Sequence, residues 1–234
     1  MLKVWWSQGP KPGNFGDILT PYILKYYNIP FEFSKKSYNT ICIGSIASKA
    51  KDDTLVLGSG IINSFEKLNI NADWRFVRGP YTRRRIVDLG GECPEIYGDP
   101  AMLLPLFCEE SKKEYDVGIV PHYVDYNLVK DTYNLEFVIN VLDNPLNVTK
   151  QITKCRFIIS SSLHGIIVAN AYGIPAAWVK FSNKLHGDDI KFKDYGDSVG
   201  EEIISSTYKN PVFVCPKNIN ITTINNIFED LSNK

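Results

Sequence analysis

No stretch of this 234-residue sequence is apolar for the roughly 18 residues that a membrane span needs. The opening MLKVWWSQGPKPG also lacks the apolar core of a signal peptide. Cysteine is sparse and scattered: Cys42, Cys93, Cys108, Cys155 and Cys215 form an odd set with no CxxC pair. That pattern argues against a disulfide framework and offers no zinc-ligand spacing. Reduced thiols in a cytoplasmic protein are the expectation. In that compartment the glycosylation sequons at residues 147–149 and 220–222 are chance matches. Neither sign of charge is in excess, because Lys+Arg and Asp+Glu both number 26. A chain without net charge has no global attraction to a polyanion, so nucleic acid is not an expected partner. Any anion site has to be local. The densest basic group is Arg83, Arg84 and Arg85, with Arg75 and Arg78 just upstream.

What is present is a globular composition, with 44% hydrophobic residues. Short runs that are apolar throughout alternate with helical patterns. Strands are expected at residues 2–6, 40–43, 54–57, 74–77 and 95–97, with helices at 18–27 and from Pro80 to Gly90. The charged segment CEESKKEYD then reads as a linker, after which the rhythm restarts. Strands are expected at 116–120, 136–139, 156–160, 176–179 and 212–214. Helices are expected near 125–133, from Asn144-Pro145 to about 154, at 163–172 and at 221–231. Strands of this kind build parallel sheets covered on both faces. The fold class expected is α/β, with two Rossmann-like domains at residues 1–108 and 115–234. In such folds a ligand binds at the carboxyl ends of the strands, here facing a cleft between the domains.

Histidine is scarce, so the position of each one matters: His122, His164 and His186. No HxH or HxxxH spacing supports a metal site. His164 lies in SSSLHG, where a strand ends and a helix begins. Ser161, Ser162, Leu163 and Gly165 surround it. Free N–H groups at a helix start attract anions, serine hydroxyls add donors, and Gly165 permits close approach. The plain alternative is that Ser161 or Ser162 caps the helix and His164 packs. NFGD places Asn14 and Asp17 at another strand end; Asp17 is either an N-cap or a group that orients or deprotonates a hydroxyl. LGSGI holds Gly58, Ser59 and Gly60 in either a tight turn or a close backbone approach to a ligand. Arg78, just past a strand in FVRGP, suits bidentate binding of a carboxylate or phosphate. Arg83–Arg85 read as a solvated helix face, His122 in VPHYVD as another strand-end residue, and KFKDYGDSV, which begins at Lys191, as a polar aromatic loop. His186 in NKLHGDD reads as part of an exposed loop.

NFGD, LGSG, RGPYTRR, GDPA, VPHYVD, SSLHG with its small-residue helix and GIP, and KFKDY occur in this order over residues 14–199. The ordered set resembles the polysaccharide pyruvyl transferase family. The resemblance implies a fold like the GT-B glycosyltransferases and phosphoenolpyruvate as donor. It also implies an acceptor sugar that receives a cyclic pyruvate ketal on two hydroxyls, such as galactose, glucose or N-acetylmannosamine of capsule, exopolysaccharide or cell-wall glycans. The family's general acid is the histidine of its Leu-His pair, which falls on His164, and its donor-binding arginine matches Arg78. Where some members carry a second arginine before Leu-His, this chain has Ser162. Lys191, His122 and Arg83 are candidates for that charge. Histidine titrates near neutrality, which suits an acid beside a bound anion, and Asp17 could accept a hydroxyl proton. Asn14, Gly58, Ser59, Gly60 and His122 are expected on the acceptor side of the cleft. No metal or resident cofactor is expected, since phosphoenolpyruvate is a co-substrate. A lipid-linked acceptor would bring the enzyme to the inner face of the cytoplasmic membrane. Two other readings stay open: a nucleotide-sugar glycosyltransferase on the same architecture, and a non-catalytic glycan-binding protein.

Overall fold

The computed structural model describes residues 1–133, 136–217, 219 and 221–233. Asn220 of the second sequon lies outside these. The chain is mixed α/β with two sheets. The first runs β2-β1-β3-β4-β5 and is parallel throughout. Its strands are β1 (Leu2–Trp5), β2 (Phe31–Phe33), β3 (Thr40–Ile41), β4 (Leu55–Leu57) and β5 (Asp73–Phe76). The second contains β6 (Tyr115–Val120), β7 (Cys155–Ser160), β8 (Ala176–Val179), β9 (Ser205–Ser206) and β10 (Phe213–Val214). β6, β7, β8 and β9 are parallel neighbours, and β10 joins the start of β8 antiparallel.

Seven α-helices are formed by the described residues: α1 (Thr20–Tyr26), α2 (Pro80–Asp88), α3 (Tyr126–Thr132), α4 (Pro145–Thr153), α5 (Leu163–Ala171), α6 (Ile190–Ser198) and α7 (Thr222–Ser232). The helix starts follow local chemistry. Pro21, Pro80 and Pro145 occupy first turns, where no N–H is missed. Asn144 caps α4 by accepting from the N–H groups of Leu146 and Asn147. α5 is buried at every position from Leu163 to Asn170. It packs on its own sheet and on a 3-10 helix, Pro100–Leu106, from the first half. A helix enclosed in this way has to be apolar nearly all round.

One apolar cluster runs through both halves, joining Phe15, Leu24 and Phe76 to Val120, Ile158 and Ile166. α7 returns to the first half. Phe228 is fully buried and stacks on Tyr27 at 5.2 Å, and Tyr27 donates to Asn225 at 2.6 Å. Burying a phenylalanine contributes about 2–3 kcal/mol.

Three expectations need correction, and one strand was not foreseen. KFKDYGDSV is not a loop: it forms most of α6, whose buried residues include Ile190, Phe192, Asp194 and Tyr195. The buried Asp194 and Gly196 disguise its apolar face. Residues 31–33 add an edge strand. Residues 95–97 and 136–139 contribute single parallel bridges, Val77 to Tyr97 and Ile119 to Val138, rather than strands. No helix of the described residues is long and apolar enough to cross a membrane.

Candidate active site

A cavity of about 200 Å³ is lined by residues from both halves of the chain. The loop after β1 contributes Asn14 and Asp17, and the loop after β3 contributes Ser45. His122 follows β6, and Ser162, Leu163 and His164 follow β7. Lys191 comes from the first turn of α6, and Lys184 and His186 from the segment before it. These are mainly strand carboxyl ends, as parallel α/β packing requires. His186 is exposed, as its sequence suggests, yet it reaches this lining.

His164 is the most enclosed ionisable group of the lining, 7% exposed. Phe15 meets its ring edge-on at 6.3 Å, and Gly16 lies against it. Nε2, not Nδ1, is the ring nitrogen sealed from solvent without a hydrogen bond. It faces Oδ2 of Asp99 at 3.5 Å, and that oxygen is likewise buried and unbonded. This leaves Nδ1 as the nitrogen available to a ligand in the cavity.

Asp17 accepts from Nδ2 of Asn14 at 3.3 Å. Burial raises its carboxyl above the ordinary range, opposed chiefly by His164 and then by Asn14 and Lys191, so it is a better proton acceptor than an exposed aspartate. Lys191 makes no ion pair among the described residues. Burial and the nearby Arg78 charge bring its amine down to about 8, against the pull of Asp17 and Asp189. Burial, reinforced by Lys191, takes His122 down to about 4, so it is neutral at pH 7.

Several residues expected at the ligand lie behind the lining instead. Arg78 is fully buried. Its Nε and Nη2 each face Oδ2 of Asp194 at 3.2 Å, Nη2 donates to the Ile61 carbonyl at 2.6 Å, and Nη1 donates to Ser45 Oγ at 2.7 Å. Its link to the cavity runs through Ser45. Asp194 also accepts from the N–H and hydroxyl of Thr82, which locks α6 onto α2 one turn from Lys191. Ser161 donates to Asp125 at 2.9 Å and accepts from the His122 N–H at 2.9 Å, so it shapes the turn after β7 rather than the cavity surface. Gly165 fits against Ser160 and Val120, where a Cβ would stand 2.4 Å from Ser160 Oγ. Gly58 packs under Pro100 and Phe76, Gly60 against the Arg78 guanidinium, and Ser59 donates to the Cys42 carbonyl. Of the two candidate caps, neither bonds the helix start: Ser162 occupies the N-cap of α5 without a side-chain cap bond and faces the cavity.

Arg83 does not supply the missing charge. It pairs with Glu95 and donates to the Cys93 carbonyl, away from the lining. Nor are Arg83–Arg85 a purely solvated face, because Arg85 donates to the Glu66 carbonyl. Among the described residues no arginine lines the cavity; the lysines that do are Lys184 and Lys191. Sequence reasoning missed Ser45, Lys184 and Asp99. GDPA was visible, but nothing in its spacing showed that Asp99 would reach His164. Among the described residues no group of three His, Cys, Asp or Glu could hold a metal.

The chain is 36% identical over 187 residues to the uncharacterized protein L143 of Acanthamoeba polyphaga mimivirus, across 75% of this chain and 62% of that protein. It is 26% identical over 216 residues to the succinoglycan biosynthesis protein ExoV of Rhizobium meliloti (strain 1021), across 86% of this chain and 65% of that protein. The chain thus spans less than two thirds of the length of either relative. No solved structure matches it significantly. The family description "polysaccharide pyruvyl transferase" matches residues 7–183, most of the chain. The chain belongs to the polysaccharide pyruvyl transferase family.

Proposed function

We propose that the protein transfers the pyruvyl group of phosphoenolpyruvate to two hydroxyls of one glycan sugar, forming a cyclic ketal and releasing phosphate. The observation that carries this reading is the placement of an enclosed histidine, an unpaired lysine and a carboxylate around one small cavity, in a chain of this family. The two sheets act as the two Rossmann-like units of a GT-B-like arrangement, with the donor held where they meet.

His164 is the general acid. Its proton goes to the methylene carbon of the enol, which makes C2 electrophilic. One sugar hydroxyl attacks C2, the C2–O bond to phosphate breaks, and the second hydroxyl closes the ring. The two hydroxyl protons balance the reaction: one leaves with phosphate and one restores His164. Asp17 accepts a hydroxyl proton on the way. No oxidation state changes, so the scheme uses no redox cofactor, and it requires no metal.

The donor carries a carboxylate and a phosphate. Lys191 is the cation that meets them where some relatives use an arginine, assisted by Lys184, Ser162, Ser45 and the first-turn N–H groups of α5. Arg78 positions Ser45 and, through Asp194, the helix carrying Lys191. The acceptor proposed is a galactose residue of a capsule or exopolysaccharide precursor. A lipid-linked precursor would be met at the inner face of the cytoplasmic membrane.

Incubation with phosphoenolpyruvate and galactose-terminated oligosaccharides, free and lipid-linked, tests the proposal. Phosphate and ketal should appear in equal amounts. Turnover of a nucleotide sugar with none of phosphoenolpyruvate would replace this reading by a glycosyltransferase one, and binding without any turnover would replace it by a glycan-binding one.

A further inference from the structure

Asp99 is the buried carboxylate behind His164 that the scheme above leaves without a role. It is fully buried at the start of the 3-10 helix Pro100–Leu106. Oδ1 caps that helix by accepting from the Ala101 N–H at 2.9 Å. Oδ2 accepts no hydrogen bond, and neither does the sealed Nε2 of His164 that it faces at 3.5 Å. A buried polar atom left unpaired is destabilising. Two such atoms directed at each other, from opposite halves of the chain, therefore form one unit. Hydrogen bonds of catalytic pairs are often long before substrate binds and tighten afterwards.

Among the described residues no other ion pair gives Asp99 a counter-charge. Burial, and then the Asp99 charge, push the Cys42 thiol and the Tyr195 hydroxyl up, so both stay neutral. Asp17 is a second carboxylate in the same field. Lys191 lines the cavity but makes no ion pair with Asp99, and among the described residues His164 is its sole ion-pair partner.

We propose that Asp99 is the positioning residue for His164: it accepts the Nε2 proton, fixes the ring with Nδ1 toward the cavity, and stabilises the imidazolium. The chemical step rests on the pyruvyl-transfer reading; the ring geometry does not. In that step the Nδ1–H bond breaks and a C–H bond forms at the donor's methylene carbon. The imidazolium becomes the neutral ring protonated at Nε2, and Asp99 remains a carboxylate throughout.

Asp99→Asn is the informative variant, because its amide oxygen can still cap the helix through Ala101. Nitrogen-15 NMR of the histidine-labelled full chain reads the ring without any substrate. The neutral ring of the wild-type His164 should carry its proton at Nε2, and in Asp99→Asn, whose NH₂ faces the ring, the proton should shift to Nδ1. In turnover, kcat should fall by about 10²- to 10⁴-fold with KM for phosphoenolpyruvate little changed. The basic limb of the kcat–pH profile should move to lower pH. A wild-type ring protonated at Nδ1, or a variant with the wild-type tautomer, kcat and pH profile, would overturn the proposal. If neither protein turned over phosphoenolpyruvate, the functional reading would fail, while the wild-type tautomer would still decide the role of Asp99.

Discussion

Gly16 lies directly against His164: a Cβ built on Gly16 would stand 2.1 Å from both Cγ and Nδ1 of the ring. The backbone there is ordinary right-handed helical, φ −62°, ψ −46°, which any residue adopts. The glycine is therefore present for space and not for backbone freedom. At an unobstructed site of this conformation, Gly→Ala would stabilise by about 0.4–1 kcal/mol.

Gly16→Ala should do the reverse. Overpacking should cost about 1–3 kcal/mol in urea unfolding. Displacing the ring should lower kcat at least tenfold, in keeping with the sensitivity of catalysis to small misplacements. A variant both more stable and fully active would show that the ring does not sit there.

The Arg78–Asp194 pair makes a second prediction. Both side chains are fully buried, 3.2 Å apart. Removing one partner strands the other's charge, so Arg78→Met or Asp194→Leu alone should cost about 3–5 kcal/mol. The double variant Arg78→Met/Asp194→Leu should recover most of that loss, which equilibrium urea unfolding of the four proteins would reveal. Additive losses would mean the pair is not coupled.

These two sites mark what the sequence made legible. Alternating apolar runs announced two parallel sheets, because strands buried on both faces have no polar alternation to hide them. SSSLHG announced a strand-to-helix junction, and His164 does line the cavity there. What stayed hidden depends on contacts between distant residues. Arg78 reads as an anion binder until Asp194, 116 residues away, closes on it. That same buried aspartate made α6 read as a loop. Asp99 reads as part of a turn until the 3-10 helix after it packs on α5 and carries it to His164. Ser160–Ser162 look equivalent in sequence, yet hydrogen bonds commit Ser160 and Ser161 to the turn and leave Ser162 for the cavity.

Lys191 makes a pH prediction. Its amine, brought down to about 8, loses its charge as pH rises through that value. An anion-binding lysine must be charged, so kcat/KM for phosphoenolpyruvate should fall above about pH 8. Lys191→Arg, which stays charged, should remove the Lys191 ionisation from that limb and leave only the limb set by the His164 acid, while retaining binding. An unchanged alkaline limb in Lys191→Arg would assign it to another group.

His122 makes a prediction about stability. Its ring is brought from 6.5 to about 4 in the folded chain, so the unfolded chain binds the extra proton between these values. Its contribution is present above about pH 6.5 and is lost as pH falls toward 4. His122→Gln should therefore lose less stability than the wild type between pH 7 and pH 4.5, measured by urea unfolding at each pH. Equal losses would contradict the assignment.

The most direct test of pyruvyl transfer with His164 as acid is one reaction run in D₂O. Wild-type protein, phosphoenolpyruvate and a galactose-terminated acceptor should give a ketal whose methyl group has gained deuterium from the solvent, with an equal amount of phosphate. His164→Ala should remain folded by circular dichroism and give neither product. Ketal formation by His164→Ala at the wild-type rate, or no ketal from the wild type with any acceptor, would contradict the account.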